Sequence, residues 1–173
     1  QVINPSEMLI TGRPKGVSGS CITCVMEGSR PILAEIQALV TPTAFGNPRR
    51  MSTGYDYNRL SMILAVLEAR CGYNFSGQDV YLNIAGGLKI SEPAADLAVA
   101  MAVISSLTNK PLPADAVIFG EIGLSGEIRS VGQPNARLKE AHKLGFNNAI
   151  TPPTHGNEKK NTTYDMNIYE VGN

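Results

Sequence analysis

Apolar and polar residues alternate along 20–26 and again along 31–40, where Ile32, Ala34, Ile36, Ala38 and Val40 share one face. A period of two predicts two strands, joined by a turn at Glu27-Gly28-Ser29-Arg30. The period lengthens over 57–71, where Leu60, Ile63, Leu64 and Leu67 form one helical stripe. Asp56 is placed to cap that helix and Gly72 to stop it. Alternation returns over 78–85 through Val80, Leu82 and Ile84. After Gly86-Gly87 and a short polar loop comes a helix that is apolar nearly all round. In it Leu97, Ala100, Met101, Ile104 and Leu107 recur at helical spacing with small residues between them. Such a helix belongs inside a core.

The rest of the chain is shorter-grained. Residues 117–119 read as a strand and 120–129 as a hairpin with turn glycines. Residues 134–144 read as a helix that Gly145 ends, with Phe146 set to pack back on it. A strand over 148–151, a polar surface loop over 155–163 and an edge strand over 166–171 complete the pattern. Two stretches lack a period. Residues 1–18, with Pro5, Gly12, Pro14 and Gly16, read as a linker. Residues 41–55, punctuated by Pro42, Gly46, Pro48 and Gly54, read as a long loop with Arg49-Arg50 at its centre.

Composition narrows the picture. A length of 173 residues suits one domain with its own core. Lys+Arg equals Asp+Glu, which argues against a basic nucleic-acid module acting by itself but leaves room for local patches or a ring with a charged channel. No run of 18 apolar residues and no leader pattern occurs, and three cysteines are too few for a disulfide framework. The expectation is a soluble chain of the cytoplasm without a membrane partner. Because position 1 is Gln, a fragment of a longer protein is expected.

Most candidate chemistry fails on its own terms. Cys21 and Cys24 are three apart in a strand, so they face opposite ways, and no second pair completes a zinc site. No metal site is expected. The glycines of 120–126 match neither a dinucleotide fingerprint nor a P-loop, and no Gly-Lys-Ser/Thr occurs. His142 and His155 read as exposed helix and loop residues. Ser91 or Glu92 can cap the helix that follows, and Glu92 and Asp96 suit the positive end of its dipole. The start of that helix, beside a glycine-rich loop, is where many enzymes hold an anion or a nucleophile. Here the position is filled by Ala94 and Ala95. Lys89 and Ser91 form a poor dyad, since nothing nearby buries the lysine. Arg49-Arg50 could contact phosphate or another subunit, for which guanidinium forks are suited.

The order of hairpin, helix, strand, Gly-rich loop, buried helix, Gly-Glu-Ile hairpin and last helix resembles the proteolytic domain of Lon proteases. That resemblance implies an α+β fold of the Lon proteolytic-domain type, related to the second domain of ribosomal protein S5, with mixed sheets and about three helices. In the family a Gly-Pro-Ser-Ala-Gly motif carries the nucleophile and a Gly-Gly-Leu-Lys motif the general base. The matching residues here are Glu92-Pro93-Ala94-Ala95-Asp96 and Gly132-Gln133-Pro134-Asn135. Ala94 and Asn135 then stand in for serine and lysine, so the dyad is degenerate and no peptidase activity is expected.

Finer signatures are similar to one branch, the C-terminal domain of the RadA (Sms) family of bacterial DNA repair proteins. They include Asn4-Pro5-Ser6-Glu7, Met26-Glu27-Gly28, Glu35-Ile36-Gln37-Ala38-Leu39-Val40, Phe45-Gly46-Asn47-Pro48-Arg49-Arg50, Asp56-Tyr57-Asn58-Arg59-Leu60 and Gly77-Gln78-Asp79-Val80-Tyr81. The resemblance implies a linker over 1–18 from an upstream ATPase and a Lon-like domain over 19–173 without its dyad. ATP, magnesium and zinc would be bound only in upstream domains, with no cofactor in this segment. The implied role is in a hexameric, DNA-dependent ATPase that drives branch migration alongside the RecA recombinase. This domain would close the ring and contact single-stranded or branched DNA. Arg49 and Arg50 are the first candidates for the DNA or subunit contact, Arg59 comes next, and Lys15 and Arg13 on the linker follow. Two other readings stay open: a peptidase with a shifted dyad of Ser91 and Lys89 or Lys139, and a protein-interaction module for the recombinase.

Overall fold

A computed structural model describes residues 16–153 and 166–171. The first hairpin pairs β1 (Ser20–Glu27) with β2 (Arg30–Pro42) in antiparallel register, Cys21 opposite Ile36 and Val25 opposite Ile32. Beyond β2 the chain makes a short strand, β3 (Arg50–Thr53), and then helix α1 (Tyr57–Cys71). Strand β4 (Gln78–Ile84) follows and lies between β2, antiparallel, and β3, parallel. Helix α2 (Asp96–Thr108) leads to β5 (Ala116–Ile118) and to the small hairpin β6 (Glu121–Ile122) and β7 (Ile128–Arg129). Helix α3 (Pro134–Lys143), β8 (Asn148–Thr151) and β9 (Asn167–Glu170) complete the fold.

One sheet of seven strands, in the order β3-β4-β2-β1-β5-β8-β9, organises the domain. It is antiparallel at its centre and parallel towards both edges. The α+β class, the mixed sheet and, among the described residues, three α-helices are as the resemblance implied. The edge strand expected over 166–171 is β9. The loop expected over 41–55 is corrected: Arg50–Thr53 is a strand, paired from Arg50 opposite Val80 to Thr53 opposite Asn83. Its sequence, Arg-Met-Ser-Thr, has no apolar alternation because an edge strand half open to water needs none.

Two cores flank the sheet. The larger gathers α1 and α2 over Ile36, Val80, Leu82 and Ile84. The smaller places Leu138 and Ala141 of α3 on Ile22, Cys24, Leu33, Val117 and Ala149. Helix α2 approaches the sheet closely because its inner face is alanine. Ala98 is fully buried, and the Cys21 thiol donates to its carbonyl at 3.2 Å. Gly19 serves the same approach: a Cβ there would stand 2.2 Å from the Ala38 carbonyl oxygen, and its φ is +88°. Gly72 ends α1 in the left-handed conformation, its amide donating to Leu67, as its position suggested. Asp56 takes the N-cap position of α1, but its side chain makes no cap bond. The amide of Leu60 donates instead to its backbone carbonyl.

Cys21 and Cys24 do face opposite cores, as their spacing required. Burial pushes the Cys24 thiol up to about 12 despite the nearby Arg137 charge. Cys71 is exposed at the end of α1. A thiolate is the reactive form, so a thiol reagent at neutral pH should titrate one cysteine, Cys71, in the folded chain. The other two should appear only on addition of denaturant; three fast thiols would contradict the packing.

Candidate functional site

The start of α2 is the point where most elements meet. A single 3₁₀ turn, Pro93–Ala95, leads into it. Ala94 is 2 % exposed and Ala95 fully buried. The sequence pattern suggested amides free for a ligand at the helix start; two of them are taken within the chain. The amide of Asp96 donates to the Pro93 carbonyl. The amide of Leu97 donates to the Gly120 carbonyl at 3.0 Å, and the amide of Gly120 donates to the Ala94 carbonyl at 2.8 Å. The chain between β5 and β6 is thus laced onto the start of α2.

Neither Glu92 nor Asp96 acts merely as a charge near the helix dipole, and neither Ser91 nor Glu92 supplies a side-chain cap. Asp96 is fully buried, and both its oxygens are used. It accepts the Tyr55 hydroxyl at 2.7 Å, the Arg59 Nε at 2.6 Å, a second Arg59 nitrogen and the Ile122 amide at 3.1 Å. Arg59 and Asp96 form a two-pronged ion pair, the strongest geometry available to these groups. Burial, then the adjoining carboxylate, raises the Tyr55 phenol well above its usual range, so it remains a donor. The carboxylate hydrogen bond likewise raises Arg59 above its ordinary value.

Glu92 makes a second pair. Its Oε1 accepts from Arg137 at 2.7 Å and from the Met26 amide at 2.9 Å, and its Oε2 from Arg137 at 3.2 Å. Arg137 is 2 % exposed although charged. Its other donors reach the Cys24 carbonyl at 2.7 Å and the Gly132 carbonyl at 2.9 Å, and its guanidinium lies 5.8 Å from the centre of the Phe119 ring. The pair therefore ties the first turn of α3 to the loop before α2 and to β1. Sequence reasoning missed Arg137. The signal was there: Arg137 falls on the stripe formed by Pro134, Leu138 and Ala141, where an apolar residue is expected.

The other named residues fall as follows. Asn135, like Ser91, Lys89 and Lys139, is exposed. The enclosed lysine that a Ser–Lys dyad requires is therefore absent around Ser91, for either Lys89 or Lys139. His142 is half-buried rather than exposed. Arg50 is half-buried in β3, and its guanidinium donates to the carbonyls of Gln78, Phe75 and Arg49. Arg59 is committed to Asp96. Arg49 alone of these three directs an exposed side chain outward, while its backbone amide donates to Asp79 at 2.7 Å. That amide bond holds the Asp79 carboxyl below its ordinary range. Lys15, Arg13 and His155 lie outside the described residues. Among the described residues, no group of three or more His, Cys, Asp or Glu could hold a metal ion, and no helix is long and apolar enough to cross a membrane.

The family model described as subunit ChlI of Mg-chelatase matches residues 56–155, from the start of α1 to beyond β8. A protein of Rickettsia bellii named DNA repair protein RadA is 54 % identical over 166 residues, 96 % of this chain and 36 % of its own length. A protein of the same name from Streptococcus pyogenes is 54 % identical over 152 residues, 88 % of this chain and 34 % of its own. Another, from Halalkalibacterium halodurans, is 50 % identical over 152 residues. The chain spans about a third of the length of these curated relatives.

Removing Arg59 strands the fully buried Asp96 carboxylate, which costs about 3–5 kcal/mol, whereas Arg59 left behind can still reach water. Arg59→Ala should therefore lower the urea midpoint strongly and Asp96→Asn less. The double variant should lose much less than the sum, because the second change no longer breaks a pair. Additive losses in that cycle would mean that Asp96 and Arg59 act separately.

Proposed function

Because the chain belongs to the family described as subunit ChlI of Mg-chelatase, and is homologous over most of its length to DNA repair proteins named RadA, we propose that it serves DNA repair as a non-proteolytic scaffold that contacts DNA. One observation carries the non-catalytic part. The two positions that resemble a Lon dyad hold a buried methyl group, Ala94, and an exposed amide, Asn135, and the helix start between them is closed by Gly120. Neither side chain can attack a peptide carbonyl or accept a proton from a hydroxyl. The Glu92–Arg137 pair fastens the same two elements to each other, which suits a rigid support.

The longer relatives leave about two thirds of their length for other tasks. In this reading ATP hydrolysis with magnesium, a zinc motif and the linkage through residues 1–18 belong to that remainder, and residues 19–173 form the Lon-like domain without cofactor. The whole protein drives branch migration in homologous recombination in the cytoplasm, as a ring of six copies, on single-stranded or branched DNA and beside RecA. Arg50 and Arg59 already have internal partners, so among the described residues the DNA contact proposed here narrows to Arg49, with Lys15 and Arg13 kept as further candidates.

Two measurements test this. The chain should leave unfolded casein uncut over hours, and cleavage abolished by Ser91→Ala would restore the peptidase reading. Arg49→Ala should weaken DNA binding and reduce the slope of log affinity against log salt by about one, the loss of one phosphate contact. Unchanged affinity and slope would remove Arg49 from the interface.

A further inference from the structure

Part of one sheet face is left open by the described residues. Along β2, β4 and β3 the inward residues, such as Ile36, Val80 and Leu82, are buried under α1 and α2, while α3 covers the opposite face only over the smaller core. On that opposite face Leu33 and Glu35 of β2 are buried, whereas Gln37, Leu39, Asn83, Met51 and Thr53 meet water. They form cross-strand rows of distinct character. Leu39 lies opposite Tyr81, and Tyr81 opposite Met51. Leu39 is 57 % and Met51 54 % exposed. The next row is polar: Gln37 lies opposite Asn83, and their amides bond at 3.0 Å.

The loop over residues 43–49 rises at the end of this face and carries Phe45, 89 % exposed. It is not slack. Its two ends close on one carboxylate, since Asp79 Oδ1 accepts from the Thr43 hydroxyl at 2.9 Å and from the Arg49 amide at 2.7 Å. The Thr43 amide also donates to the Gly77 carbonyl at 2.8 Å. The Phe45 ring is thus presented to water on a braced loop, free to stack on a flat partner. Arg49, exposed four residues on at the other end of the same loop, supplies a positive charge.

From these observations we infer that the open face of β2, β4 and β3 is a single-stranded nucleic-acid platform, on which Phe45 and Tyr81 stack bases while Arg49 meets a phosphate. The inference rests on the reading that this chain contacts DNA and deepens it, because stacking needs unpaired bases whereas a lone arginine does not. The arrangement fits that ligand better than an apolar protein partner. The apolar row is one residue wide and is bordered by amides and hydroxyls that can meet base edges, with a cation at its end. Asp79 keeps its negative charge at this end of the row, with its Oδ1 turned to the Thr43 hydroxyl and the Arg49 amide.

The test uses the 173-residue chain with a labelled dT20 strand and a blunt duplex of the same length. Phe45→Ala should weaken dT20 binding about 5- to 140-fold, the loss of one stacked base, with the salt slope unchanged. Duplex binding should change far less. Phe45→Trp should bind at least as well as the parent, and its fluorescence should be quenched by dT20; the chain has no other tryptophan. Equal weakening on strand and duplex would overturn the single-strand assignment. Binding of dT20 indifferent to Phe45→Ala would overturn the platform while leaving the Arg49 contact standing. No binding to either DNA, with parent and variants alike, would overturn the DNA reading and this inference together. A change of mass in light scattering without a change in DNA affinity would also overturn it and assign Phe45 to contacts between copies.

Discussion

The buried carboxylate of Asp96 is the constraint on which the remaining structure depends. A charge fully removed from water is tolerable only when each oxygen is met by donors. Those donors come from α1, from Tyr55 two residues before it and from β6, so satisfying one side chain fixes where α1 with its approach and β6 lie against α2. The hydrophobic faces of α1 and α2 would pack against the sheet in several registers. Asp96 selects one of them, because any slip leaves an unpaired charge in the core.

Glu92 and Arg137 perform the same selection on the opposite side of the helix start. Together the two pairs surround the alanines that occupy the position of a nucleophile. They make the arrangement stiff, and the Gly120 carbonyl takes the Leu97 amide beside them.

Much of the fold was legible in the sequence because burial on one face writes itself as periodicity. The first hairpin, β4, the stripe of α1 and the all-round apolarity of α2 were each readable from single windows. Strand β3 was not. It lies at an edge, its residues alternate only between half-buried and exposed, and Pro48 and Gly54 mark it as loop. The site was less legible still. Glu92 and Asp96 looked like ordinary first-turn acids, since nothing in a linear reading shows that Arg59 and Arg137 return to them from 37 and 45 residues away. The same blindness made Arg50 look available: its partners are backbone carbonyls, which every sequence contains.

The order of strands in the large sheet has a consequence for how the polypeptide reaches this state. Strand β1 is flanked by β2, made moments later, and by β5, which emerges from the ribosome about ninety residues afterwards. Closing so distant a neighbour is slow relative to making a hairpin. During translation the first hairpin and β4 can assemble early, yet Asp96 lacks the amide of Ile122 until β6 has been delivered. Final locking of this domain is thus a late event, withheld until β6 is outside the exit tunnel.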